Sequence, residues 1–195
     1  MRFCVFMGSR FGRLPAYREA AAELGRVMTA RRIGVVYGGN TLGLMGVLAE
    51  TAFALGNEVI GVIPNSIAEA EAARTELSKL HVVDTMHERK ALMSQLSDAL
   101  IALPGGLGTF EELFEVWTWA QLGIQAKPIG VLNVAGFYDR LLDFIRQVDA
   151  DGFISAADHD LIVVADDPAE LVERLLARLA TRPAAPPGAP LSDAS

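Results

Sequence analysis

Asp98-Ala99-Leu100-Ile101-Ala102-Leu103 runs without a break into Pro104-Gly105-Gly106-Leu107-Gly108-Thr109-Phe110-Glu111-Glu112. The first six residues read as a buried strand, and Phe110 to Leu122 reads as a helix. A glycine-rich turn between strand and helix brings backbone N–H groups close to an anion, and the helix N-terminus adds partial positive charge. Two carboxylates stand in the first helical turn, beside whatever anion binds there. The combination points to a phosphorylated ligand with chemistry next to its phosphate.

The same alternation extends in both directions. Phe3–Met7, Gly34–Tyr37, Glu58–Ile63, Leu80–Val83, Lys127–Leu132 and Leu161–Val164 read as further strands. Helical periodicity falls at about 15–31, 42–55, 87–97, 136–149 and 168–180. The strands are continuous apolar runs rather than alternating ones, so both sheet faces are covered. Strand–helix alternation then implies a single α/β domain over residues 1–180, with a doubly wound parallel sheet and ligands beyond the strand C-terminal ends. Residues 181–195 hold four prolines and few apolar anchors and read as a mobile tail.

At 195 residues with a net charge of −7, the chain is a poor general binder of nucleic acid or membrane surfaces. No stretch has the apolar length of a membrane span, and the N-terminus reads as the first strand rather than a signal peptide. The lone cysteine, Cys4, sits inside the first apolar run as a small hydrophobe, which suits a reducing cytoplasm. Three scattered histidines and one cysteine give no legible metal site.

Three glycine turns share one character: Gly8-Ser9-Arg10-Phe11-Gly12, Gly38-Gly39-Asn40-Thr41-Leu42-Gly43-Leu44-Met45-Gly46, and Pro104 to Glu112. Each follows a predicted strand, so all three converge on one sheet edge. Neither the dinucleotide fingerprint nor the P-loop is present. Glu111 stands where Gly106-Leu107-Gly108 would need its third glycine, and no Gly-Lys-Ser/Thr occurs. A mononucleotide or another small phosphate ester fits better than NAD or ATP.

A second cluster, Met86-His87-Glu88-Arg89-Lys90, opens the helix before the central strand. Arg89 offers a planar fork and Lys90 a point charge for phosphate or carboxylate; a charged run of this kind is as readily a solvated helix face. His87-Glu88 lacks the second histidine of a zinc motif, since position 91 is alanine. Thr109-x-x-Glu112 has capping-box spacing, with Thr109 as N-cap and Glu112 at the third helical position. Spacing alone favours that cap over catalysis, though one carboxylate can serve both. Ser9 lacks a nucleophile elbow. None of Lys79, Lys90 and Lys127 has a clear claim to a pyridoxal Schiff base.

Pro104-Gly105-Gly106-x-Gly108-Thr109-x-x-Glu112, preceded by Met86-His87-x-Arg89-Lys90, resembles the signature of the LOG family. These are nucleoside 5′-monophosphate phosphoribohydrolases that activate cytokinins, long mislabelled as lysine decarboxylases. The resemblance runs from about Cys4 to Ala180 and takes in Gly39–Gly46 and Trp117–Gly123. It implies a Rossmann-like fold and hydrolysis of N6-substituted adenosine 5′-monophosphates, often AMP itself, to free base and ribose 5-phosphate. It places Arg89 and Glu112 on catalytic positions. Lys90, Gly105, Gly106, Leu107, Gly108, Thr109, Glu76 and Thr118 fall on substrate-binding positions, and the turns at Gly8, Ser9, Gly38 and Gly39 join them. It implies a homodimer without metal or organic cofactor. Asn40 departs from the pattern, standing where many relatives carry a third glycine.

In the mechanism this suggests, cleavage passes through an oxocarbenium-like state. Glu112 stabilises the cationic ribose, orients water or bonds the ribose hydroxyls. Arg89, too basic to release a proton readily, stabilises charge and holds the nucleotide. Met93, Trp117 and Trp119 are candidates for the base side, and Trp117, Trp119 and Leu122 for a dimer face. The alternative is a module that binds a nucleotide or phosphorylated cofactor without turnover, which would need the glycines but not the Arg89–Glu112 pair.

Overall fold

Seven parallel strands form one sheet in the computed structural model, which describes residues 1–68 and 77–181. In chain order they are β1 (Arg2–Phe6), β2 (Gly34–Tyr37), β3 (Val59–Pro64), β4 (Lys79–Val83), β5 (Ala99–Ala102), β6 (Ile129–Leu132) and β7 (Ile162–Ala165). Their spatial order is β4-β3-β2-β1-β5-β6-β7. The order reverses beside β1, where Cys4 pairs in register with Val36 on one side and Leu100 on the other. This is the Rossmann-like, doubly wound α/β architecture expected from the strand–helix alternation, and its switch point lies between β1 and β5.

Side chains of the central strands divide between two cores. Phe3, Val5, Ala99 and Ile101 face α1 (Pro15–Ala30), α2 (Gly43–Ala54) and α8 (Pro168–Thr181), meeting Leu24, Met28, Leu48 and Leu171. Cys4, Phe6, Leu100 and Ala102 face α4 (Met86–Gln95), α5 (Leu107–Gln121) and α6 (Asp139–Ala150), meeting Met93, Leu113, Val116 and Ile145. β5 is fully buried along its length, which is why it reads as an uninterrupted apolar run. Two short helices, α3 (Asn65–Ala68) and α7 (Ala156–His159), and a 3-10 turn at Val134–Gly136 complete the elements among the described residues.

The start of α5 differs from the sequence expectation. Its first residue is Leu107, not Phe110, and its N-cap is Gly106, with no side-chain cap. Thr109 is therefore the third helical residue, and Thr109-x-x-Glu112 is not a capping box. Gly105 explains the shift. A Cβ there would lie 2.1 Å from the Thr109 hydroxyl and 2.8 Å from the Gly8 nitrogen, so the turn packs flat against β1 and the helix begins at once. Capping boxes open α4 and α7 instead: at α4, Thr85 Oγ1 accepts from the Glu88 N–H and Glu88 accepts from the Thr85 N–H, and Ser155 and Asp158 form the other.

Candidate active site

Three turns leave the sheet at the C-terminal ends of β1, β2 and β5, and their glycines let them touch. The Gly8 N–H donates to the Pro104 carbonyl at 3.1 Å, and the Leu44 N–H donates to the Gly8 carbonyl at 3.1 Å. Gly43, at φ +59°, leaves a Cβ only 2.3 Å from the Ser9–Arg10 backbone, so no other residue fits there. Asn40 supports the second turn through its side chain: Oδ1 accepts from the Leu42 N–H at 2.8 Å. Asn40 thus closes an Asx turn after β2.

The turns enclose a cavity of about 300 Å³. Its polar wall is Gly8, Ser9, Gly38, Asn40, Arg89, Glu111, Glu112 and Gly106 to Thr109; its apolar wall includes Met7, Met45, Met86 and Met93. The first N–H groups of a helix have no intrahelical acceptor. With no capping side chain on Gly106, those of Leu107, Gly108 and Thr109 are available to an anion. Nothing lies within 4 Å of where Cβ atoms of Gly106 and Gly108 would be, so a ligand has open access to that backbone.

Arg89 projects from the second turn of α4. Its Nε donates to the Val62 carbonyl at 3.1 Å and its Nη2 to the Gly38 carbonyl at 3.3 Å. These two carbonyls fix the guanidinium plane and leave Nη1 facing Glu112, with 3.8 Å between Nη1 and Oε1. Gly38 is the seat of this group: a Cβ there would lie 2.0 Å from Nη2. Glu112 is 8% exposed. Burial pushes its carboxyl up to about 7; Arg89 opposes the rise and Glu111 adds to it. Near neutrality such a group can take up or release a proton.

Other candidate residues lie elsewhere. Lys90 is buried between α4 and α5, with Nζ bonded to Glu111 and, at 2.8 Å, to Glu115. Thr118 lines a separate recess with Phe114, Gln121, Ile154 and Asp158. Trp117 lines that recess too, its indole donating to the Asp158 carbonyl, and Trp119 packs into the second core. Of the base-side candidates, only Met93 reaches the cavity. Gly39 (φ +75°) packs against Ile63 behind it. Glu76 lies outside the described residues.

Sequence reasoning placed Asn40, Met45 and Met86 within its motifs without assigning them to the site, and it missed Met7 and Tyr138. The buried Tyr138 hydroxyl donates to the Leu103 carbonyl at 2.6 Å, at the root of the Pro104 turn. Asn133 Oδ1 accepts from the Tyr138 N–H at 2.7 Å. A second cavity of about 550 Å³ lies across the Gly105–Gly106 turn, with Phe11, Tyr17 and Phe137 in its wall.

Among the described residues no cluster of three or more His, Cys, Asp or Glu side chains has the arrangement of a metal site. No helix there is long and apolar enough to cross a membrane. A pyridoxal cofactor would need a lysine in an apolar pocket. Lys79 is exposed on an edge strand, Lys90 is held by two carboxylates, and Lys127 donates to the Ser94 carbonyl. No lysine lines either cavity, so neither offers a partner for a Schiff base; Lys127 borders a separate recess with Pro128, Leu161 and Arg178.

Fold and site together define a Rossmann-like α/β protein with an arginine–carboxylate pair in its switch-point crevice. A family described as "Possible lysine decarboxylase" matches residues 45–175. The rice (Oryza sativa subsp. japonica) "Probable cytokinin riboside 5′-monophosphate phosphoribohydrolase LOGL9" is 51% identical over 174 residues, covering 89% of this chain and 77% of that protein. The Arabidopsis thaliana cytokinin riboside 5′-monophosphate phosphoribohydrolase LOG1 is 49% identical, covering 89% and 82%. The chain belongs to this family, the one its motifs resemble. Solved structures share the fold at lower identity. A molybdenum cofactor binding protein from Rippkaea orientalis superposes with a TM-score of 0.68 at 21% identity, covering 92% of this chain and 97% of that one. The molybdenum cofactor carrier protein of Chlamydomonas reinhardtii gives 0.65 at 23%, covering 90% and 98%.

Proposed function

We propose that this protein hydrolyses the N-glycosidic bond of adenosine 5′-monophosphates, N6-substituted ones among them, releasing free base and ribose 5-phosphate. One observation carries the reading: Arg89 and Glu112 share a cavity whose floor is the uncapped N-terminus of α5. Relatives about half identical over most of the chain are named as cytokinin riboside 5′-monophosphate phosphoribohydrolases.

The 5′-phosphate docks on the N–H groups of Leu107, Gly108 and Thr109, with the Gly8-Ser9 turn alongside. This anchor, remote from the reacting bond, contributes binding energy that positions C1′. Water adds to C1′ as the bond to the base breaks, and the proton lost by the water ends on the departing base. Glu112 in its carboxylate form takes the proton from water and faces the cationic ribose. Arg89, held by two backbone carbonyls, stabilises charge on the nucleotide without giving up a proton. The flexible methionine side chains offer the base an adaptable apolar surface. A carrier would need the glycine turns but not a desolvated carboxylate beside an arginine.

The protein acts as a homodimer in the cytoplasm, without nucleic-acid partners. Support for the dimer is the recess of Phe114, Trp117 and Ile154, flanked in sequence by exposed Leu122 (65%), Phe144 (61%) and Phe153 (82%). Thr118 lies on that face. The single buried thiol and the net charge of −7 accord with the location and the partners. The test is chromatography of the purified protein incubated with AMP or isopentenyl-AMP. Free base and ribose 5-phosphate in equal amounts are expected; intact nucleotide after long incubation overturns the reading. Light scattering of the same sample tests the dimer.

A further inference from the structure

Lys90 follows Arg89 on α4, yet the two side chains do different things. Arg89 enters the cavity; Lys90 is 7% exposed and is not among the residues that line it. Its ammonium bonds to Glu111 and Glu115, one helical turn apart on α5 and on either side of Glu112 in sequence. An ammonium has three donors, and two are taken by charged acceptors. Burial alone would lower the affinity of Lys90 for its proton, but the bonds to Glu111 and Glu115 outweigh this and hold it above the ordinary value. To reach a phosphate at the α5 N-terminus, Lys90 would have to leave both partners, and backbone N–H groups already serve that place.

We propose that Lys90 is a positioning residue: it clamps α4 to α5 through Glu111 and Glu115, sets Arg89 opposite Glu112, and does not touch the nucleotide. The clamp also sets the charge around Glu112. That carboxyl is faced by Arg89 and Lys90 from α4, by Glu111 and Glu115 on its own helix, and by Cys4 from β1. Lys90 holds its proton affinity down, while Glu111 and Glu115 hold it up. Removing the ammonium or one of its carboxylate partners therefore moves Glu112 in opposite directions.

The kinetic part rests on the hydrolase reading; the titration does not. The experiment follows the Glu112 carboxyl carbon by NMR in protein labelled at glutamate, assigned by its loss in Glu112→Gln. Ribose 5-phosphate binding is measured by calorimetry on the same samples. In Lys90→Met the Glu112 midpoint should rise, and in Glu115→Gln it should fall. Lys90→Arg should stay near wild type, and all three should keep ribose 5-phosphate affinity within about threefold. An unmoved midpoint in Lys90→Met or Glu115→Gln overturns the proposal. So does a loss of affinity of about tenfold or more, the size expected when a charged ligand contact is removed. If Lys90→Met does not fold, Glu115→Gln and Lys90→Arg decide. Midpoints that move as expected in a protein releasing no base would overturn the hydrolase reading and leave the clamp standing.

Discussion

Arg89 Nη1 faces Glu112 Oε1 across 3.8 Å, and neither group is free to turn away. The guanidinium is held by the Val62 carbonyl, inside β3, and the Gly38 carbonyl, just past β2. The carboxylate sits in the second turn of α5 and is buried. The distance exceeds that of a tight ion pair, so the arginine only partly offsets the cost of desolvating the carboxylate. A nucleotide entering the cavity meets a fixed positive group and a proton acceptor poised near neutrality.

Replacing Glu112 by glutamine should lower turnover about 100- to 1000-fold, the range for losing a positioned proton acceptor, and leave ribose 5-phosphate affinity within a few-fold. Stability should move the other way. The folded carboxyl keeps its proton up to about 7, whereas the ordinary value is 4.5, so wild-type stability falls as pH rises across that window and stays lowered above it. Glu112→Gln should therefore be the more stable protein at pH 8, by up to about 3 kcal/mol. It should show no such advantage below pH 4.5. Urea melts at the two pH values check this.

With the carboxylate as the working form, kcat/KM for AMP should rise with pH and level off above about 7. Initial rates from pH 5 to 9 measure it. A rate that falls through the same range would make Glu112 a proton donor.

Gly38→Ala should cost activity about 100-fold or more without unfolding the protein, because the new Cβ would lie 2.0 Å from Arg89 Nη2. Displacing a reacting group by an ångström is enough for a loss of that size. Steady-state kinetics and circular dichroism together check the outcome.

Much of this was legible before any coordinates. The apolar runs of β1 and β5 and the glycines after them predicted a parallel sheet with its ligand edge at these turns. The meeting of Arg89 and Glu112 was not readable from local pattern. They belong to different helices, and only the path α4–β5–α5 brings them together. Helix faces were also hard to assign within a charged run. Met86 to Lys90 gave no sign that Arg89 enters the cavity while Lys90 turns to α5. Thr118 is six residues beyond Glu112, about 240° further round the helix, which carries it to another face. At α5 the polar spacing of Thr109 and Glu112 mimicked a cap, and close packing of Gly105 on Gly8 overrode it. Tyr138 looked like an ordinary core aromatic, since its bond to Leu103 spans 35 positions.

Tyr138→Phe should remove that buried bond and leave the Leu103 carbonyl without it, at a cost of about 1–2 kcal/mol. A melting temperature lower by a few degrees is expected. Hydrogen exchange should quicken at Leu107 to Thr109, because the root of the turn loses its tether. Unchanged exchange there would make Tyr138 a core residue without bearing on the site.

The most direct measurement is a crystal structure of Glu112→Gln with AMP bound. The phosphate oxygens should lie within hydrogen-bonding distance of the Leu107, Gly108 and Thr109 N–H groups, with C1′ between Arg89 and residue 112. A phosphate seated elsewhere, or a glycosidic bond out of reach of both side chains, would contradict the account.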